Sequence, residues 1–259
     1  AKDLVHRGRT VSLDLVGEHV RSQTEAQQAT TDYLEAVAAM DQTGVPSGLS
    51  VKPSQLGSEL DEGRARDRLR RIAEAAGQAG LHVTLDMEDS STTETTIRLV
   101  EGLHADGMSH VGCAVQAYLH RTVEDLARLN ELGASVRLCK GAYAEPASLA
   151  YHDRGTIEVA YRNCAATLLK EGTYPRFATH DHRLIGAIRR DARRLGRGTD
   201  QYEFQMLYGV RTDVQDRLVA IGESLCIYLP YGQAWYAYFM RRLAERPANL
   251  WFFARALTG

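Results

Sequence analysis

The sequence predicts an α/β fold, a closed (βα)8 barrel of the TIM type. Three observations predict it. Short apolar runs rich in β-formers alternate eight times with longer stretches of helical period over 259 residues, the usual size of one such barrel. No G-x-G-x-x-G or G-x-x-x-x-G-K-[ST] follows any of these runs, as it would in an open sheet that cradles nucleotide phosphates. No linker or low-complexity stretch interrupts the alternation, so residues 1–259 read as a single domain.

The expected strands are 10–16 (TVSLDLV), 49–52 (LSVK), 82–86 (HVTLD) and 111–118 (VGCAVQAY), then 135–139 (SVRLC), 176–179 (RFAT), 202–206 (YEFQM) and 225–229 (LCIYL). Between them, YLEAVAAM, RDRLRRIAEAA, VEDLARLNEL and DVQDRLVAI carry apolar residues at three- and four-residue spacing, the signature of a helix with one buried face. Gly44, Gly80, Gly133 and Gly222 fall where such helices end and a left-handed cap is expected. Asp61-Glu62 and Glu88-Asp89 are placed to cap or flank helices. The longest break, 140–154 (KGAYAEPASLAYHDR), follows the fifth strand, and long loops in compact domains are often functional. A last helix, AWYAYFMRRLAERP, follows the eighth strand and is expected to lie over the carboxyl ends of the strands.

Composition narrows the function. With 31 basic and 33 acidic residues the net charge is −2, which argues against a nucleic-acid footprint. Cys113, Cys139, Cys164 and Cys226 show no C-x-x-C spacing and read as reduced core thiols of a reducing compartment. No apolar run is long enough to span a bilayer and no signal pattern opens the chain, though its first residues, AKDLVHRGRT, leave a removed targeting segment open.

In a (βα)8 barrel, chemistry gathers at the carboxyl ends of the strands. Lys52, Asp86, Gln116, Arg137, Lys140, Thr179, His180, Gln205 and Tyr228 all fall at or near such ends, and Glu18 follows the first strand. Arg137 and Gln116 sit inside apolar runs, so each needs a fixed partner to offset its burial. On the last helix, Tyr238, Arg241, Arg242 and Glu245 share one face. The arginine pair is read in two ways: as solvated cations paired with Glu245, or as a clamp for a carboxylate, which two planar guanidiniums grip well. His180-Asp181-His182 has metal-ligand residue types but no third partner at useful spacing, so no metal is expected.

These residues resemble the proline dehydrogenase family, the flavin-dependent barrel that also forms a domain of bacterial proline utilization A. The matching segments are LDLVGE (13–18), SVKPSQL (50–56), LDMEDS (85–90), VQAYL (115–119), VRLCKGAY (136–143), ATHD (178–181), EFQMLYG (203–209) and YLPYGQAWYAYFMRRLAE (228–245). KGAY and the Y-x-P-x-G…Y-x-x-R-R-x-x-E pattern are the specific ones. Asp181 stands where the family usually has Asn, and Ala144 where it often has Trp, departures that bear on the adenosine side of the cofactor.

The resemblance implies noncovalent FAD and oxidation of L-proline to Δ1-pyrroline-5-carboxylate, with hydride passing from proline C5 to flavin N5 and electrons on to a quinone. It implies that Lys52, Arg241 and Arg242 hold the carboxylate and that Tyr143, Leu207, Tyr228 and Tyr238 wall the ring. Gln116, Arg137, Lys140, Gly141, Ala142, Thr179 and His180 would bind FAD, with Met87 near it through its backbone and Glu245 beside the flavin. Asp86 and Arg137 would serve catalysis, Asp86 by orienting Lys52 or Tyr228. Glu18 and Arg241 would form a gate. A cytoplasmic enzyme with peripheral membrane contact is implied, or a mitochondrial one if a targeting segment was removed. The residues alone leave two other readings: a Schiff-base aldolase using Lys140 or Lys52, and a silent barrel that only binds an amino acid.

Overall fold

The computed structural model describes residues 1–45 and 47–232. Eight parallel strands form one closed barrel in sequence order. They are β1 (Thr10–Leu15), β2 (Ser47–Val51), β3 (His82–Leu85), β4 (Val111–Gln116), β5 (Val136–Cys139), β6 (Arg176–Ala178), β7 (Glu203–Leu207) and β8 (Leu225–Tyr231). A short helix, α1 (Lys2–His6), precedes β1. The helices that follow the strands are α2 (Gln23–Thr43), α3 (Glu62–Gln78), α4 (Thr93–Ala105), α5 (Thr122–Leu132), α6 (Arg154–Glu171), α7 (His182–Arg194) and α8 (Thr212–Ala220). β1 closes the barrel against β8, with Ser12 opposite Tyr228 and Asp14 opposite Pro230.

Each strand alternates, and the alternation decides the architecture. Leu49, Val51, Val83, Leu85, Val111, Leu138, Phe177, Phe204 and Ile227 are fully buried and belong to one apolar core that includes the inner faces of the helices. Removing these side chains from water supplies the main driving force, about 1.5–3 kcal/mol for each large one. The residues between them point into the barrel, and there the chain departs from the usual filling of branched aliphatics. Ser12, Ser50, Thr84, Arg137, Arg176, Glu203 and Gln205 reach one another across the barrel instead.

Helix boundaries follow the expected chemistry. Gly44 and Gly133 cap α2 and α5 in the left-handed conformation, and Gly80 and Gly222 take positive φ just past the ends of α3 and α8. Asp61 caps α3, and Asp89 caps the short 3-10 turn Ser90–Thr92. Glu88 differs from the expectation. It is buried and accepts from the backbone N–H (3.0 Å) and hydroxyl (2.5 Å) of Ser54, so it serves the turn after β2 and not its own segment. β4 stops at Gln116, two residues earlier than expected, where the chain turns to meet the loop after β5. Cys113, Cys164 and Cys226 are buried and Cys139 is half-buried, all as free thiols. The proposed last helix, with Tyr238, Arg241, Arg242 and Glu245, lies outside the described residues.

Around the outside, α4 and α5 are fastened by an ion-pair network in which Glu94 accepts from both Arg128 and Arg121. The hydrogen bonds from Arg128 and Arg121 pull the Glu94 carboxyl down to about 2. A depressed acid stabilises the fold above its unfolded value of 4.5 and loses that contribution as pH falls through the folded value. The side chain is 42% exposed, so solvent screening limits the effect to about 0.5 kcal/mol. Glu94→Gln should lower Tm at pH 6 to 7 and leave it unchanged near pH 2; an equal deficit at both ends would contradict this origin.

Candidate active site at the barrel mouth

Arg137 is the hub of the interior. Its place in the middle of β5, with inward parity, carries a guanidinium to the barrel axis, where it is only 3% exposed. Burial disfavours the charge, but the Asp86 carboxylate, with smaller contributions from Tyr228, Cys139 and Cys226, offsets it and holds the Arg137 pKa above its ordinary value. Nη1 donates to Asp86 Oδ1 (2.6 Å), Nε to Gln205 Oε1 (2.5 Å), and Nη2 to the hydroxyls of Ser12 (3.1 Å) and Ser50 (2.9 Å). The guanidinium carbon also lies 5.1 Å from the centre of the Tyr228 ring, within cation–π range. One cation thus ties β1, β2, β7, β8 and the end of β3 to β5.

Asp86 extends the network upward. Its Oδ2 accepts from the Tyr228 hydroxyl (2.7 Å) and lies 3.5 Å from the Lys52 ammonium. Lys52 is buried and hydrogen-bonds Asp14 on β1. Burial works against the Lys52 charge, but Asp14 and then Asp86 outweigh it and hold its pKa above the ordinary lysine range. Downward, Gln205 donates to Glu203 (2.6 Å), and Glu203 pairs with Arg176 at 3.5 Å. The column therefore alternates in charge: Asp14, Lys52, Asp86, Arg137, Glu203, Arg176. Three acids balance three bases.

The rim loops are sewn to one another. Gln116 donates to the Glu88 carbonyl (2.8 Å), and Glu145 accepts from the N–H (2.7 Å) and hydroxyl (2.5 Å) of Ser90. Tyr118 donates to the Tyr143 carbonyl (3.1 Å). Lys140 pairs with Asp181 at 3.2 Å, and Thr179 accepts from the Asp181 N–H. His180 Nε2 accepts from the Leu207 N–H (2.9 Å), which places the ring proton of neutral His180 on Nδ1. Met87 is buried beside these loops, while Gly141, Tyr143 and Glu18 are half-buried and Ala142 is exposed. Among the described residues, no cluster of three His, Cys, Asp or Glu is placed to hold a metal.

Lys52, Asp86, Arg137 and Tyr228 are therefore brought into one connected group, and Gln116, Lys140, Thr179, His180 and Leu207 stand around it on the same end of the barrel. Sequence reading missed Asp14, Ser12, Ser50 and the Glu203–Arg176 pair. Strand parity was the available signal: in TVSLDL, Thr10, Ser12 and Asp14 alternate with apolar residues and so share the inner face.

A (βα)8 barrel with a buried network of charges at the carboxyl ends of its strands is built as an enzyme. The family model for proline dehydrogenase matches residues 1–255. Proline dehydrogenase of Deinococcus radiodurans is 38% identical over 250 residues, covering 95% of this chain and 81% of the relative. Proline dehydrogenase 2 of Bacillus subtilis is 35% identical over 257 residues, covering 99% and 84%. Proline utilization A from Bdellovibrio bacteriovorus, solved after inactivation by N-propargylglycine, superposes with a TM-score of 0.87 at 26% identity, over 93% of this chain and 30% of that one. The chain belongs to the proline dehydrogenase family, a family of oxidoreductases.

Gly141 gives a test of how tightly the rim is built. It has φ +112°, and a Cβ there would lie 2.1 Å from Tyr118 Cδ1. Strain and overlap together predict that Gly141→Ala costs on the order of 2–4 kcal/mol. Urea unfolding measures this, and adding Tyr118→Ala should restore part of the loss; strictly additive losses would show that the contact is not its source.

Proposed function

We propose that this chain oxidises L-proline to Δ1-pyrroline-5-carboxylate with noncovalently bound FAD and passes the electrons to a quinone. The observation that carries the reading is the Lys52–Asp86–Arg137 network with the Tyr228 hydroxyl tied to Asp86, on a chain of this family. When bound, FAD supplies the hydride acceptor for the electron pair that leaves proline C5. The donors at the mouth suit an anionic, carbonyl-rich cofactor: the Arg137 guanidinium, the Lys140 ammonium, the Thr179 hydroxyl and the Nδ1–H of His180. Gln116 and Met87 support it from the β4 and β3 sides, and Gly141 and Ala142 from the loop after β5.

The chain's own groups have distinct tasks in this reading. Lys52 meets the substrate carboxylate as a charged ammonium, aided by Arg241 and Arg242. Tyr143, Leu207, Tyr228 and Tyr238 confine the ring so that C5 is presented at reacting distance, about 3–3.5 Å. Asp86 fixes Tyr228, Lys52 and Arg137 at once. A cation held as rigidly as Arg137 favours the negative charge that two-electron reduction adds nearby. The amine N–H proton passes to solvent, the C5–H bond breaks with its electron pair, and the nitrogen lone pair forms the C5=N bond. In this reading, as in the resemblance, Glu18 and Arg241 would serve as a gate and Glu245 would contribute to the flavin site.

A Schiff-base lysine must reach its neutral form near pH 7, through a lowered pKa. Lys52 is held in the opposite sense by Asp14 and Asp86, and Lys140 is paired with Asp181. The aldolase reading is therefore disfavoured.

The purified protein should be yellow and bleach on anaerobic addition of L-proline; binding without bleaching would leave a non-catalytic barrel. Tyr228→Ser should raise turnover of hydroxyproline relative to proline, since the ring that crowds the substrate is removed. An unchanged ratio would dissociate Tyr228 from substrate choice.

A further inference from the structure

Asp14 has no part in the roles assigned above, yet it is the most deeply buried acid of the column, with no exposed surface. β1 delivers it to the barrel interior beside the inward-facing Ser50. Its hydrogen bond goes to the Lys52 ammonium. The two carboxylates near that ammonium are unequal. Asp86 divides its oxygens between Arg137 at 2.6 Å and Tyr228 at 2.7 Å, and reaches Lys52 only at 3.5 Å. Asp14 directs an oxygen to Lys52 itself.

Lysine carries its charge on four flexible methylenes and, without a partner, swings its ammonium toward water. At Lys52 the backbone is fixed from the helix side, where its N–H donates to the Tyr33 hydroxyl at 3.3 Å. Tyr33 in turn donates to Gln55, whose amide donates to the Leu15 carbonyl at 3.1 Å, next to Asp14 on β1. Backbone and side chain of Lys52 are thus both referred to β1. We propose that Asp14 is a positioning residue: it aims the Lys52 ammonium at the site where the substrate carboxylate is gripped. This rests on the reading of Lys52 as a carboxylate ligand.

The sign of one substitution separates positioning from simple charge. Asp14→Asn keeps the shape and removes a negative charge close to an anion site. If Asp14 acted only through its field, removing it would tighten carboxylate binding. If it aims Lys52, binding weakens, because a mobile ammonium forms a poorer charged hydrogen bond.

The test uses the flavin-loaded protein and two neutral-ring probes, cyclopentanecarboxylate and cyclopentanecarboxamide, as competitors of proline. Asp14→Asn should weaken the carboxylate about tenfold, the size of one charged hydrogen bond, while leaving binding of the carboxamide by the folded protein nearly unchanged. Equal weakening of both probes, or tighter carboxylate binding, overturns the proposal. Lys52→Met serves as the reference. If it leaves the carboxylate-over-carboxamide preference undiminished, the reading of Lys52 fails and the role of Asp14 falls with it. If Lys52→Met reduces the preference while Asp14→Asn leaves it undiminished, the Asp14 proposal alone is overturned.

Discussion

An ion moved from water into a protein interior is destabilised by several kcal/mol unless opposite charge and hydrogen bonds surround it. Among the described residues, six such ions form a column inside this barrel, and everything at its mouth depends on how they cancel. Acid and base alternate along the axis from Asp14 through Lys52, Asp86, Arg137 and Glu203 to Arg176. Ser12, Ser50, Gln205 and Tyr228 add hydrogen bonds to Arg137 and Asp86. The barrel is thereby neutral inside while presenting fixed charge at its open end. Such preorganised charge is what an enzyme needs, since it does not have to reorient when the reaction redistributes electrons.

The outer shell makes this interior possible. Aliphatic residues of opposite parity on the same strands bury against the helices and supply the stabilisation that a polar barrel lumen does not. The rim loops then behave as one rigid collar, because each is bonded to another strand's loop: Ser54 to Glu88, Ser90 to Glu145, Leu207 to His180. Groups that the family resemblance assigns to different ligands are held in one common frame.

Much of the fold was legible in the sequence. All eight strands fall within a few residues of the runs that predict them, because parity, β-branching and cap glycines speak locally. TVSLDL and RDRLRRIAEAA each announce their own conformation. The site was legible only towards its rim, where Lys52 and Asp86 directly follow β2 and β3 and where Arg137 and Tyr228 interrupt the apolar runs of β5 and β8. The lower column was not, because its pairings join residues far apart in the chain, as Arg176 with Thr84 or Arg137 with Ser12. Glu88 misled for a related reason: an acid next to a capping Asp looks like a second cap, and only the approach of the β2 loop makes it a buried acceptor. The arginine pair of the last helix lies outside the described residues, so its clamp role rests on the resemblance.

The alternating column also sets the grain at which this protein can change. Replacing one member leaves a neighbour charged and unsolvated, a loss that typically reaches 3–5 kcal/mol, whereas replacing two partners together with well-packed neutral residues is often tolerated. Inherited or engineered variation inside the barrel should therefore move in couples, Arg176 with Glu203 being the natural pair farthest from the mouth. The interior is in that sense a ledgerless lattice of paired choices, with mutational paths through it that run two steps at a time.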